Sequence, residues 1–360
     1  MKKLSVFMAL TLAVCLLAGC AGTPVIYYTD CTCPVGSHEA VQVPAETQKQ
    51  ELPAEGALKI GLAVDTNVQE SKSATAEENG EGKYAVTVAA VLVDDNGIIR
   101  DCIIDGIAAS VKFDATGTVT TDLTAAPKTK NELGPEYNMV AHGGAIAEWD
   151  EQAASFASYV IGKTAAEVAA IAVNEATKPT GEDLKTSVTI AVGDFQTLIQ
   201  KAVANAQHLG AQSGDALKMA VITSISDSKS ADAENAGTAQ LNVDVTALTL
   251  NGETITSCVI DAVQAKVSFD ASGAVTSDIT APVATKNEMG DAYNMVAHGG
   301  AIAEWNQQTA SFAAYVTGKT AAEVAGIAVD EGTKPTGEDL KTSVTIAVGG
   351  FQALIQKAAQ

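Results

Sequence analysis

The chain has 360 residues, 47% of them hydrophobic and only 4% aromatic, which is enough for two domains with cores of their own. Its 43 acidic against 22 basic side chains leave a net charge of −21, and that field repels phosphate backbones, so nucleic acid is excluded as a partner. Beyond the N-terminus no run approaches the ~20 apolar residues a membrane-spanning helix needs.

Residues 1–19 have the three parts of a secretory signal: Lys2 and Lys3, an apolar run through Leu17, and a small-residue cleavage site. Leu17-Ala18-Gly19-Cys20 resembles the lipobox of bacterial lipoproteins. That resemblance implies a palmitate-type acyl chain on Cys20 and a mature protein held to the cell membrane by lipid, on its extracytoplasmic face. Residues 20–57 shift to Pro, Glu, Gln and Thr without periodicity and are expected to be a tether. Within it, Cys31 and Cys33 with His38 fall short of the four ligands of a structural metal site, so no metal is assigned; a CxC disulfide and two free thiols both remain open.

The rest is one unit written twice. Domain one is expected over 58–206 and domain two over 217–360, joined by a polar linker at 207–216, with unit two three residues shorter in its early region. The first half of each unit has the alternation and β-branching of strands. Tyr84–Val93 and Ile98–Ile104 flank the turn Asp94-Asp95-Asn96-Gly97, and Ala109–Phe113 and Thr118–Leu123 flank a second turn at Ala115-Thr116-Gly117. Cys102 and Cys258 fall mid-strand as small buried hydrophobes. The second half is helical. Ile146, Trp149, Ala153, Phe156 and Val160 share a face, Thr164 with Glu167 and Thr320 with Glu323 form capping boxes, and Val188, Val192, Phe195, Ile199 and Ala202 make a last amphipathic stripe. The expected fold is α+β: two tandem repeats, each an antiparallel sheet of about four strands packed by helices.

Between sheet and helices lies the segment in which the copies agree almost letter for letter, Thr129–Trp149 and Thr285–Trp305. It supplies the candidate ligand-binding residues Lys130, Asn131, Tyr137, Asn138, His142, Glu148 and Trp149, and in the second copy Lys286, Asn287, Tyr293, Asn294, His298, Glu304 and Trp305. These groups have two uses open to them: pinning the loop to its own domain, or lining a pocket. Acid–base work by His142 and Glu148 is a third. Gly162-Lys163-Thr164 lacks the preceding glycine of a phosphate loop, with Ala157 in its place, and His142-Gly143-Gly144 has no nucleophile elbow to serve, so no catalytic residue is assigned.

The strands around VDDNGIIRDCIID, the helical region, and DLKTSVTIAV leading into the last helix resemble the FMN-binding domain of Na⁺-translocating quinone reductase subunits and of Gram-positive surface flavoproteins. Members of that family carry FMN on the last Thr of DxxSGATxxT. Asp183, Thr186, Ser187, Val188 and Thr189 take the motif's earlier positions, and the acceptor falls on Val192, or Val348 in unit two. Valine has no hydroxyl, so what the resemblance implies is FMN held noncovalently, for flavin binding or extracellular electron transfer. The alternative is a flavin-free surface lipoprotein that binds a solute, a cell-wall component or a host component.

Overall fold

A computed structural model describes residues 56–360. The signal peptide, Cys20, the Cys31, Cys33 and His38 group and the tether through residue 55 lie outside the described residues; Ala57, expected in the tether, instead bridges to Gln212. The fold is α+β, with two three-stranded antiparallel sheets in the orders β1-β2-β3 and β4-β5-β6. In unit one β1 is Lys59–Asn67, β2 Gly80–Val93 and β3 Ile99–Phe113; in unit two β4 is Ala216–Ser224, β5 Gly237–Asn251 and β6 Thr254–Phe269. From Val88 through Val93 every residue of β2 is buried, the pattern of a strand covered on both faces.

One cover is helical. In unit one α1 (Lys130–Leu133), α2 (Met139–Gly143), α3 (Trp149–Val160), α4 (Ala165–Ala169) and α5 (Gly193–Asn205) follow the sheet. Trp149, Phe156, Phe195 and Ile199 then pack on Ala89, Val91 and Ile104. Unit two repeats this with α6 (Lys286–Met289), α7 (Met295–Gly299), α8 (Trp305–Val316) and α9 (Ala321–Ala325), adds a short α10 (Glu338–Lys341) where unit one has a turn, and ends on α11 (Gly349–Ala358).

The other cover is the opposite sheet. Val64, Val86, Val88, Ile107 and Val111 share one core with Val221, Val243, Val245, Val263 and Val267, and Phe113 stacks on Phe269 with ring centroids 3.8 Å apart and planes 4° from parallel. Contacts across this interface come in reciprocal pairs, as a two-fold axis requires. Ala74 N donates to Gly273 O and Ala231 N to Gly117 O, both at 2.8 Å. Lys201 pairs with Glu288, and its counterpart Lys357 with Glu132. Gly117 and Gly273 have φ of 69° and 71°. A Cβ on Gly117 would come within 2.8 Å of Asp270 O, so both conformation and the close crossing demand glycine there.

Four expectations change. Each sheet has three strands, because Thr118–Leu123 forms no strand: Val119 N donates to Ser230 Oγ of the other unit, and Val119 makes only an isolated bridge to Phe113. Ile146 lies outside α3 and is 54% exposed. Val188 and Val192 are fully buried but precede α5, reaching the core from the coil before it. Finally, Lys59 pairs with Val93 as Ala216 pairs with Leu250, so the early strands match in length; the sheets differ by one residue in the β2–β3 turn, where Ile99 and Ile255 resume the pairing.

Candidate functional site

The repeated segment is built from staples. Thr129 caps α1 in a reciprocal box with Glu132, and Asn131 lies within that turn. Its side-chain amide donates to Ile104 O at 2.9 Å and its backbone N to Asp105 Oδ1 at 3.1 Å, tying the helix to β3. Lys130 Nζ sits 4.6 Å from the Trp149 ring and 5.1 Å from the Tyr137 ring, a cation between two π faces. Trp149 is buried over Gly106, where a Cβ would stand 3.1 Å from the indole. Asn138 adopts the left-handed region at φ 71°, turning the chain so that Met139 N and Val140 N donate to the buried Glu148 carboxylate at 2.8 and 3.0 Å.

Unit two repeats the hydrogen bonds and the cation between rings, with Ala262 at the position of Gly106. Lys286 lies 5.1 Å from Tyr293 and 4.9 Å from Trp305. Asn287 holds Ile260 O and Asp261, and Glu304 holds Met295 N and Val296 N beside the left-handed Asn294. His142 and His298 are exposed at the ends of their short helices. Each Glu148 oxygen accepts from a backbone N–H group, which gives that carboxylate a structural task in its own loop.

Sequence patterns missed Asp105 and Asp261, on β3 and β6. Burial pushes each carboxyl up to about 6, against the hydrogen bonds each accepts. The signal was present as an Asp inside the apolar strand in both copies, CIID and CVID.

The concave space lies elsewhere, at the seam where β1 of unit one faces β6 of unit two. A groove of about 470 Å³ opens there, within the size range of small-ligand sites. Its floor is Ile60, Leu62, Val64 and Cys258 to Ile260; its walls are Lys201 and Asn205 of α5 and the small-residue face Ala310, Ala313 and Ala314 of α8. Gln207 and Leu209 from the linker also line it, as do Asp261, Asn287, Glu288 and Asn306. Of the candidate residues in the repeated segment, Asn287 alone is among these lining residues. Burial raises the pKa of nearby Asp65 against the attraction of Lys201, and burial pushes the Cys258 thiol up to about 12, so it stays protonated and unreactive. Cys102 and Cys258 are both free and buried.

A second cleft, beside Gly56 to Leu58 and the β2–β3 turn, is acidic, but its side chains are engaged. Asp94 holds Arg100, Asp95 holds Lys59 and His208, and Asp215 holds Asn251 and Thr256. Among the described residues no group of three metal-binding side chains converges, and no helix is long and apolar enough to cross a membrane.

The flavin acceptor positions do not fit that cofactor. Val192 and Val348 are fully buried, and their backbone N–H groups donate to Thr177 O and Thr333 O. Asp183 and Asp339 accept from Tyr159 and Tyr315. No family model matches the chain, and no curated protein or solved structure is significantly similar to it.

Proposed function

We propose that the chain is a lipid-anchored extracytoplasmic binding protein, not an enzyme, and that its ligand occupies the groove between β1 and β6. The observation that carries this is the groove itself: a partly open space lined by apolar side chains with polar groups among them, while most polar side chains of the repeated segment are consumed in holding the fold. Anchoring rests on the lipobox at Leu17–Cys20.

The flavin-free form of this reading is preferred. Lys201 is the sole cation among the groove-lining residues and is already paired with Glu288 and bonded to Val64 O, so an FMN phosphate meets no free positive charge there. The test is to produce the full chain in a host supplied with flavin and compare it with Ala310→Trp, which fills the groove from an exposed position. Native mass spectrometry and visible absorbance are the readouts. A colourless protein carrying a small molecule that Ala310→Trp loses is expected. A flavin mass increment, or a ligand retained equally by the variant, would overturn the reading. For the anchor, Cys20→Ala is expected to shift the protein from the membrane to the soluble fraction.

A further inference from the structure

The groove runs between two sheet edges, and their backbone groups point into it. In β1, Ile60 exchanges both its backbone hydrogen bonds with Gln207, at 3.0 Å each. The pair Ile60/Leu92 is therefore of the kind not bonded across the ladder, and the two-residue period turns the backbone groups of Leu62 and Val64 away from β2 as well. Their carbonyls are taken: Asn205 Nδ2 donates to Leu62 O and Lys201 Nζ to Val64 O, both at 3.0 Å. Their N–H groups have no partner among the described residues.

On β6 the same logic holds. Ile255 exchanges bonds with Lys319 and Gly318, and after the bulge at Thr249/Leu250 the outward-facing residues are Cys258 and Ile260. Asn287 Nδ2 takes Ile260 O, while Ile260 N and both backbone groups of Cys258 are unpartnered among the described residues. All four of these residues are buried. Asn306 Oδ1, a further lining group, is also buried without a hydrogen-bond partner. Buried backbone amides left unpaired are rare in folded proteins, and each costs free energy. A row of free donors on two facing strands, with free acceptors at Cys258 O and Asn306, matches an occupant that both accepts and donates along an extended line.

We infer that the groove takes a short extended peptide, added as a strand between β1 and β6. Its carbonyls accept from Leu62, Val64 and Ile260 N–H, and its amides donate to Cys258 O. Main-chain pairing at a free sheet edge supplies affinity, and alternate side chains supply selectivity. The small face of Ala310, Ala313 and Ala314 leaves room for those side chains. Asp261 and Glu288, with Asp65 close to the Lys201–Glu288 pair, outnumber Lys201 among the charged groups of the groove, so the peptide's amino terminus belongs beside them.

This rests on the groove being the binding site, and the experiment separates the two ideas. The full chain is equilibrated with a pool of tetrapeptides randomised at every position, with free amino termini, alongside FMN and riboflavin. Retained species are identified by mass spectrometry, for wild type and for Ala310→Trp and Ala314→Trp, both at exposed positions. The best retained peptide is then remade with its backbone nitrogens methylated. Peptides held by wild type, lost from both variants, and weakened at least tenfold by methylation are expected. Peptide affinity unchanged by methylation overturns strand addition. A flavin retained in place of any peptide, and lost from the variants, overturns the peptide while keeping the groove. Retention unaffected by either variant overturns both ideas, as does no retention at all.

Discussion

Glu148 is where a ligand-contact reading and a structural one part most clearly. Its carboxylate is 8% exposed and accepts from Met139 N at 2.8 Å and Val140 N at 3.0 Å, closing the loop between α2 and α3. Glu148→Ala removes both acceptors. A hydrogen bond to a charged group contributes ~1.5–3 kcal/mol, but Val140 is 45% exposed, so water can replace its partner. Removing the mutated residue's own buried charge also relieves a desolvation cost. The expected loss is therefore ~1–3 kcal/mol, and about half of that for Glu148→Gln, which keeps one carbonyl oxygen. Urea unfolding of the full chain measures the loss, and limited proteolysis between Asn138 and Glu148 should show the loop opening first. Retention of the groove's ligand should not change, because Glu148 does not line it. A variant within ~0.5 kcal/mol of wild type that has lost its ligand would refute the reasoning and return Glu148 to a binding role.

Two further outcomes follow from the packing. Residues 216–360 produced alone expose the face of Val243, Val245, Val263, Val267 and Phe269 that the other sheet covers. They should therefore dimerise or bind apolar dyes, and a cooperatively folding monomer in size-exclusion chromatography would contradict the shared core. Asp105 and Asp261 are raised in the fold to about 6, above an unfolded value of ~3.9. The native state thus binds their protons more tightly, so their contribution favours folding below about pH 4 and is lost as pH rises through 6. Asp105→Asn with Asp261→Asn should remove that dependence. The difference in unfolding free energy between variant and wild type should shift in the variant's favour from pH 4 to pH 7, by ~2–3 kcal/mol per site, and a pH-independent difference would show that the carboxyls titrate normally.

Much of the fold was legible because it is locally specified. The Asp94–Gly97 turn and the capping boxes at Thr164 and Thr320 occur where their side-chain chemistry demands. What was not legible depended on the other unit. A continuous apolar strand tells that both faces are covered, not whether a helix or a second sheet covers them; hence the joint core went unforeseen. Val188 and Val192 satisfy a helical spacing while entering the core from a coil, since burial alone leaves the same periodic trace. The groove left no motif at all, because Leu62, Asn205, Cys258 and Asn306 meet only through the packing of the two units.

The distribution of differences between the copies points the same way. The repeated segment uses specific geometry at nearly every position, a ring pair around Lys130, amide bonds from Asn131, a carboxylate on two N–H groups, so few substitutions preserve it. Its near-identity then reports the demands of folding. The groove also draws on positions of α8 where the copies diverged: α3 and α8 begin at equivalent tryptophans, and from there Asn306, Thr309 and Thr317 stand where unit one has Asp150, Ala153 and Ile161. Changing these three to their unit-one counterparts (N306D, T309A, T317I) removes two hydroxyls from the α8 lining and puts a carboxylate in place of the Asn306 amide, without touching the staples. Stability should fall by no more than ~1–2 kcal/mol, mainly from the Thr309 hydroxyl bond to Trp305 O, whereas retention of the groove's ligand should drop at least tenfold. Unaltered retention in a folded triple variant would mean that the site's selectivity does not come from the residues that set this seam apart.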